Sequence, residues 1–493
     1  MSARNELGTL EASGLVQVAT LEPELEYLFR HALVQDAAYS SLLKQDRHIL
    51  HKLAADTLVS LYPERRRELA AVIALHLERA GDPAGAAEHL VVAGEHALER
   101  FASRESFAFF DRAAASLSDD DPRIDLRLRA VLGAAKAGLP LGAPARAIER
   151  LEHALALGEE RADRKLLGGA YFWIAFLRRL QGERPDTSPA LKHAADRAAE
   201  IGAALGDPVA AAIPDAFVGI GMISTGQLRE GARILEEALG PILAHADPMS
   251  AAILSGLLSM AYARLGEFAA AERSLAYAER IAATGDPIAA LDAQIARSGL
   301  LIERGDVGEG EVLAANCAAR SEELGTVACA MVANVIVGAA HLARDDALGA
   351  KMPLERSEEL ARVTNMAGLQ TLSQAMLGSV RAELGDVPGG LAGWTLALDG
   401  AHAMRDRYGE AITLWHRART RAHATPPDHP AALADLDTAT KLFEEMEARP
   451  SLARSLRDRA RVLRALDRAA EADAADERSR AIGAELGLKD FAP

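Results

Sequence analysis

His48 and His51 stand three residues apart in a stretch of helical periodicity, a spacing that puts both imidazoles on one helix face. A zinc-like ion would need a third ligand beside them, and the sequence places none. His423, Asp428 and His429 crowd a Pro-rich loop and could also hold an ion, but polar residues on a loop surface are the ordinary reading. Adjacent carboxylates such as Glu322-Glu323 and Glu444-Glu445 point about 100° apart on a helix, so they cannot work as a general acid/base pair. No serine sits in a Gly-x-Ser-x-Gly elbow, and no Gly-x-x-x-x-Gly-Lys-Ser/Thr loop exists to cradle a phosphate. Cys317 and Cys329 are the only cysteines, and small apolar neighbours mark both as buried, inert thiols. No catalytic residue, metal or cofactor is expected.

Binding is better represented than catalysis. Asp215, Ser255, Gln294, Asn334 and Gln374 recur about every forty residues amid apolar neighbours. They could form a polar ladder that grips the backbone amides of an extended peptide. The ordinary reading is instead a stack of interhelix hydrogen bonds that satisfies buried amides and sets register. Of Trp173, Trp394 and Trp415, Trp394 shares a column with Leu235, Leu275 and Leu354 and reads as core. Trp415 is a candidate anchor for a partner.

The elements that carry these residues are repeats. Helix starts recur at Asp207-Pro208, Asp247-Pro248 and Asp286-Pro287, and continue at Thr326, Met366 and Asp406, with intervals of 40, 39, 40, 40 and 40. Asp caps a helix through its carboxylate, and Pro suits the next position because no hydrogen bond is lost there. A turn signal keeps the same period at Gly226, Gly266, Gly305, Asp345 and Gly385. Small residues form three columns. Gly219, Ser259, Ser298, Gly338, Gly378 and Ala418 make the first; Gly231, Ala271, Gly310, Ala350 and Gly390 follow twelve residues later; Ala238, Ala278, Cys317, Ser357 and Ala397 lie seven further on. Small side chains are needed where two helices cross closely, so each unit is predicted to be a helical hairpin.

These columns resemble those of the tetratricopeptide repeat, whose usual period is about 34. The resemblance implies a right-handed all-α solenoid, here with longer helices. The large aromatic that often opens the family pattern is replaced by the polar column.

Composition agrees with a solenoid. The 493 residues are 49% hydrophobic but only 4% aromatic, so helices can approach through Ala and Gly. The net charge of −16 argues against a nucleic-acid partner, which needs a basic face, and against anionic membranes. No run approaches the roughly 18 apolar residues of a membrane span and no secretion signal opens the chain, which points to a cytoplasmic protein.

The start of the chain differs. Val16 and Val18, a turn around Glu22-Pro23-Glu24, then Tyr27 and Phe29 predict a β-hairpin, with helices over His31–Leu43 and Gln45–Leu61. The stretch from Tyr27 to Tyr39, with Arg47, His51 and Ala54, resembles the junction in bacterial STAND-type signal-transduction ATPases between a winged-helix domain and tetratricopeptide-like repeats. Such segments occur downstream of class III adenylate or guanylate cyclase domains, so the resemblance implies ATPase and cyclase domains upstream of Met1. It also makes the hairpin a winged-helix remnant and His51 a structural residue. The expected organisation is a junction over 1–60, irregular hairpins over 61–200, regular repeats over 201–424 and capping hairpins over 425–493, the last formed by Arg459–Leu466 and Ala469–Leu486.

The expected function is a non-catalytic sensor scaffold. It would bind a protein, a peptide or a small-molecule effector and regulate an associated ATPase or cyclase. An enzyme with a site in a repeat cavity and a purely structural assembly part are the alternatives.

Overall fold

The computed structural model describes residues 3–20, 26–142, 144–184, 187–245, 248–364 and 370–491. Helix α1 (Ala3–Ala12) leads into an antiparallel hairpin of β1 (Val16–Thr20) and β2 (Glu26–Phe29), with Val16 opposite Phe29 and Val18 opposite Tyr27. The expected turn at Glu22-Pro23-Glu24 lies outside the described residues. Helices α2 (Ala32–Ser41), α3 (Lys44–Leu61) and α4 (Arg66–Arg79) follow.

The rest is a stack of helical pairs: α5 (Pro83–Glu99) with α6 (Ser103–Ala115), α7 (Ile124–Gly138) with α8 (Pro144–Gly158), α9 (Arg164–Leu180) with α10 (Pro189–Leu205), and α11 (Pro208–Ser224) with α12 (Leu228–His245). Next come α13 (Pro248–Leu265) with α14 (Phe268–Ala282), α15 (Pro287–Arg304) with α16 (Val307–Leu324), and α17 (Val327–Ala343) with α18 (Ala347–Thr364). The stack ends with α19 (Gln370–Glu383) and α20 (Val387–Met404), α21 (Arg407–His423) and α22 (His429–Glu445), and α23 (Arg449–Ala465) and α24 (Ala469–Leu486). Helix α23 begins ten residues before the expected Arg459, because Pro450 can occupy a first turn where no N–H bond is needed.

The helix signals work as their chemistry requires. The carboxylates of Asp286 and Asp406 accept backbone N–H groups of Ala289 and Gly409, and Asp207 accepts from Val209. Asp247 and Met366 lie outside the described residues. Turn residues Gly226, Gly266, Gly305 and Gly385 have φ of +87°, +80°, +92° and +99°, the left-handed conformation that closes a helix. Asp345, in the same column, adopts +57°.

All three small-residue columns are buried. A Cβ on Gly231 would lie 2.7 Å from the Gly219 carbonyl oxygen, and one on Gly390 would lie 2.8 Å from that of Gly378. The two helices of a pair therefore meet backbone to backbone. Where serine replaces glycine, Ser259 Oγ donates to the Ala271 carbonyl at 2.9 Å, so its hydroxyl is satisfied inside the crossing. Trp394 is core, with its indole N–H on Ser379 Oγ at 3.2 Å.

The stack winds on itself. Arg229 pairs with Glu447, 218 residues on, and Arg184 donates to the Ala403 carbonyl, 219 residues on. Gly226 lies against Met446, Gly266 against Leu486 and Gly142 against Thr364. With a repeat near forty residues, one superhelical turn takes about five and a half pairs. The half has a geometric cause. Turns inside pairs all lie on one edge of the ribbon and turns between pairs on the other, so stacking one coil on the next brings opposite edges together.

The seam between coils is polar and largely buried. Tyr408 donates to Glu303 at 3.1 Å and meets Ser451 Oγ at 3.2 Å, while the Arg264 guanidinium lies 3.9 Å from its ring centre. Arg454 reaches Asp490 and Glu303 and donates to the carbonyls of Ile302 and Glu303 at the end of α15. No helix among the described residues is long and apolar enough to cross a membrane.

Candidate ligand-binding site

First helices of successive pairs touch one another, as α13 does α15 and α19 does α21, while second helices make no comparable contact among the described residues. The first helices therefore line the inside of the curve. Helix α11 breaks this rule, standing back from both α9 and α13. Between them opens an apolar pocket of about 810 Å³.

The cause is visible in the register. Counting from Asp247 and Asp286, Gly256 is the ninth residue of its unit and Ala296 the tenth of the next, and a Cβ on Gly256 would touch that of Ala296 at 3.2 Å. Counted the same way from Asp163 and Asp207, those positions hold Phe172 and Phe217, whose rings lie 5.5 Å apart between centres. Two rings where α13 and α15 have a hydrogen and a methyl hold α9 and α11 apart. Trp173 and Phe176 extend the cluster, each within 5.9 Å of a neighbouring ring centre. Helix α11 adds Ile213 and Ile220, α13 adds Ile253 and Leu254, and α10 adds Ile201. The polar lining is Lys136 on α7, Lys165 on α9, Ser250, and the carboxylates of Asp163 and Asp207.

The residues expected from sequence to contact a partner lie elsewhere, and none of the six lines this pocket. Asp215 and Gln294 are exposed, and Gln294 accepts from Cys317 Sγ at 3.5 Å. Ser255 is fully buried and its Oγ has no partner. Asn334 donates to the Ala330 carbonyl of its own helix at 2.8 Å. Gln374 and Trp415 are half-buried, and the Trp415 indole donates to Asp458 at 2.8 Å. The sequence signal for the pocket was the pair of aromatics at Phe172 and Phe217 where α13 and α15 carry Gly256 and Ala296, which shows only once Asp163 is counted as a repeat start.

His48 and His51 have different neighbours. His48 rests on Gly81, whereas His51 Nδ1 meets His76 Nδ1 at 2.8 Å and its Nε2 meets the Tyr39 hydroxyl at 3.0 Å. Burial lowers the pKa of both His51 and His76. Asp428 caps α22 through the Ala431 N–H. Among the described residues, no group of three or more His, Cys, Asp or Glu could hold a metal ion.

Both cysteines are buried, and burial pushes the Cys317 thiol up to about 11 and raises the Cys329 thiol well above its ordinary value. The Cys329 thiol donates to Asp292 Oδ1 at 3.4 Å, and Asp292 Oδ2 is sealed without a partner. Burial pushes the Asp292 carboxyl up from 3.8 to about 7. A raised carboxyl binds its proton more tightly in the folded chain, so its stabilisation is full below pH 3.8 and is lost as pH rises through about 7. Asp292→Asn should therefore raise stability at pH 8 by roughly 4 kcal/mol and change it little at pH 4, measured by urea unfolding at both.

No family model and no curated protein matches the chain in sequence. Solved structures do match it in shape. A Rap protein complexed with competence and sporulation factor superposes with a TM-score of 0.53 at 12% identity, covering 73% of this chain and 98% of that one. The fold is a tetratricopeptide-like solenoid. The Cut9–Hcn1 hetero-tetramer of the APC/C gives a TM-score of 0.47 at 14% identity, over 92% of this chain and 90% of that one.

Proposed function

We propose that this solenoid is a non-catalytic sensor: a ligand fills the aromatic pocket, and the resulting change of curvature regulates an associated signalling ATPase or nucleotide cyclase. The observation that carries it is the gap on either side of α11. An occupant that bridges α9, α11 and α13 favours one curvature over another by its differential contacts. A Rap protein of this fold is held in a complex with competence and sporulation factor, which supports ligand capture as the use of such a coil.

The partner's place is suggested by the N-terminal junction. Residues 10–75 hold thirteen of the twenty-five exposed large apolar side chains among the described residues, and α2 buries none of its own. Leu33, Leu43 and Leu61 are 82%, 72% and 64% exposed. A patch of this kind marks a contact surface for another protein domain. The exposed members of the polar column, Asp215 and Gln294, are assigned to a second contact with a protein or peptide partner.

Nile red, a neutral apolar dye, should bind the full chain and brighten. Ile213→Glu should weaken that binding at least about tenfold, because it sets a charge against the apolar wall. Dye binding that is absent, or that is indifferent to Ile213→Glu, would sink the pocket. Saturation with dye should also change amide exchange over α2–α4, and an unaltered junction would sink the regulatory half.

A further inference from the structure

We infer that the occupant of the pocket is a small anionic amphiphile, an apolar chain without amides that ends in a carboxylate or phosphate. This rests on the pocket reading above and adds the chemistry of the ligand. The ammonium of Lys136, half-buried on α7, makes no ion pair or hydrogen bond among the described residues, nor does that of Lys165 on the first turn of α9. Elsewhere on α7 the contrast is plain: Arg129 pairs with Glu95 and Arg127 with the carbonyls of Leu117 and Ser118.

The two carboxylates of the lining do not serve the lysines. Asp163 accepts the N–H groups of Lys165 and Leu166, at 2.9 and 3.1 Å, and so holds the start of α9. Asp207 accepts from Val209 at 2.9 Å and holds the start of α11. The lining's formal charges therefore cancel, and the pocket does not attract anions from a distance. What it offers is one half-buried cation at the edge of an apolar wall, where a direct pair is screened less than at the surface.

The same lining disfavours a peptide. A buried peptide brings an N–H and a C=O per residue that must find partners. Beyond the two lysines and the two capping aspartates, the lining residues supply only the Ser250 hydroxyl and the Trp173 indole N–H, and no side-chain amide. An alkyl chain brings no such groups, and its gain grows with every methylene buried. The volume, about 810 Å³, suits a small molecule.

The test uses the full chain and competition against Nile red. Decanoate, decyl phosphate, 1-decanol and an uncharged apolar decapeptide are the four probes. Decanoate or decyl phosphate should displace the dye at a concentration roughly tenfold or more below that of 1-decanol, as a charge-assisted hydrogen bond allows. Whichever of the two anions is stronger identifies the head group. Lys136→Met should weaken that anion at least about tenfold and 1-decanol much less, while Lys136→Arg keeps the preference. Equal potency of acid and alcohol, a preference that survives Lys136→Met, or a decapeptide that outcompetes both anions would each overturn the assignment. Failure of the pocket itself shows differently, as no displacement by any probe and no binding of the dye.

Discussion

Arg454→Met should destabilise the last superhelical coil by about 3–5 kcal/mol, because it removes one half of a buried charge cluster and leaves the other in place. The Arg454 side chain is 12% exposed, as is that of Glu303. Its Nε and Nη2 donate to the two oxygens of Asp490 at 2.9 and 3.1 Å, and Nη2 also serves the Glu303 carbonyl at 3.0 Å. A methionine fills the space but donates nothing, so the Asp490 carboxylate keeps only Arg457, 3.7 Å away, and Glu303 keeps only Tyr408. The loss should be local. In a stack whose units contact chiefly their neighbours, α21–α24 can loosen while α11–α18 hold. Amide exchange should accelerate in α23 and α24 first, and a uniform change along the chain would show that the seam does not tie coil to coil. Arg454→Lys should recover only part of the effect, since a single ammonium cannot hold both carboxylates and the carbonyls that the guanidinium fork reaches.

Phe110→Ala should cost about 3–5 kcal/mol in the N-terminal coil. Its ring is 2% exposed and lies between Gly94 on α5 and Gly133 on α7. A Cβ on Gly94 would come 2.9 Å from the ring, and Gly133 is tighter still, so the two glycines form a notch that only the aromatic fills. Neighbours without side chains cannot collapse into the space the ring leaves, which places the cost toward the upper part of the range for a large-to-small change. The pair also predicts non-additivity. Gly133→Ala should destabilise the parent chain through overlap with the ring, yet be nearly neutral or stabilising in the Phe110→Ala background. Thermal unfolding of the four proteins gives the cycle, and additive values would mean that the ring is not seated in the notch.

Much of this molecule is legible in its residues because a solenoid is built from local rules repeated. Asp before Pro starts a helix at Pro83, Pro208 and Pro287, a left-handed turn favours glycine, and two helices that cross at backbone distance need Gly, Ala or Ser at fixed offsets. Those requirements act within about forty residues, so Gly219 with Gly231 and Gly378 with Gly390 announce their crossings without reference to anything distant. The hairpin of Val16–Phe29 was legible for the same reason, since alternation at period two is local.

The pocket and the seam were not. Phe172 and Phe217 belong to separate units, and it takes the stacking of α9 against α11 to set their rings 5.5 Å apart and force a gap. Lys136 becomes a candidate anchor only when that gap opens beside it. Arg454 and Glu303 are 151 residues apart and nothing in either neighbourhood names the other. Their meeting depends on the small tilt between successive pairs, summed over a whole coil, and no single repeat records that sum. The sequence by itself thus determined the repeating unit and its close crossings, while the tertiary structure decided where the units part to admit a ligand and which distant edges lock together.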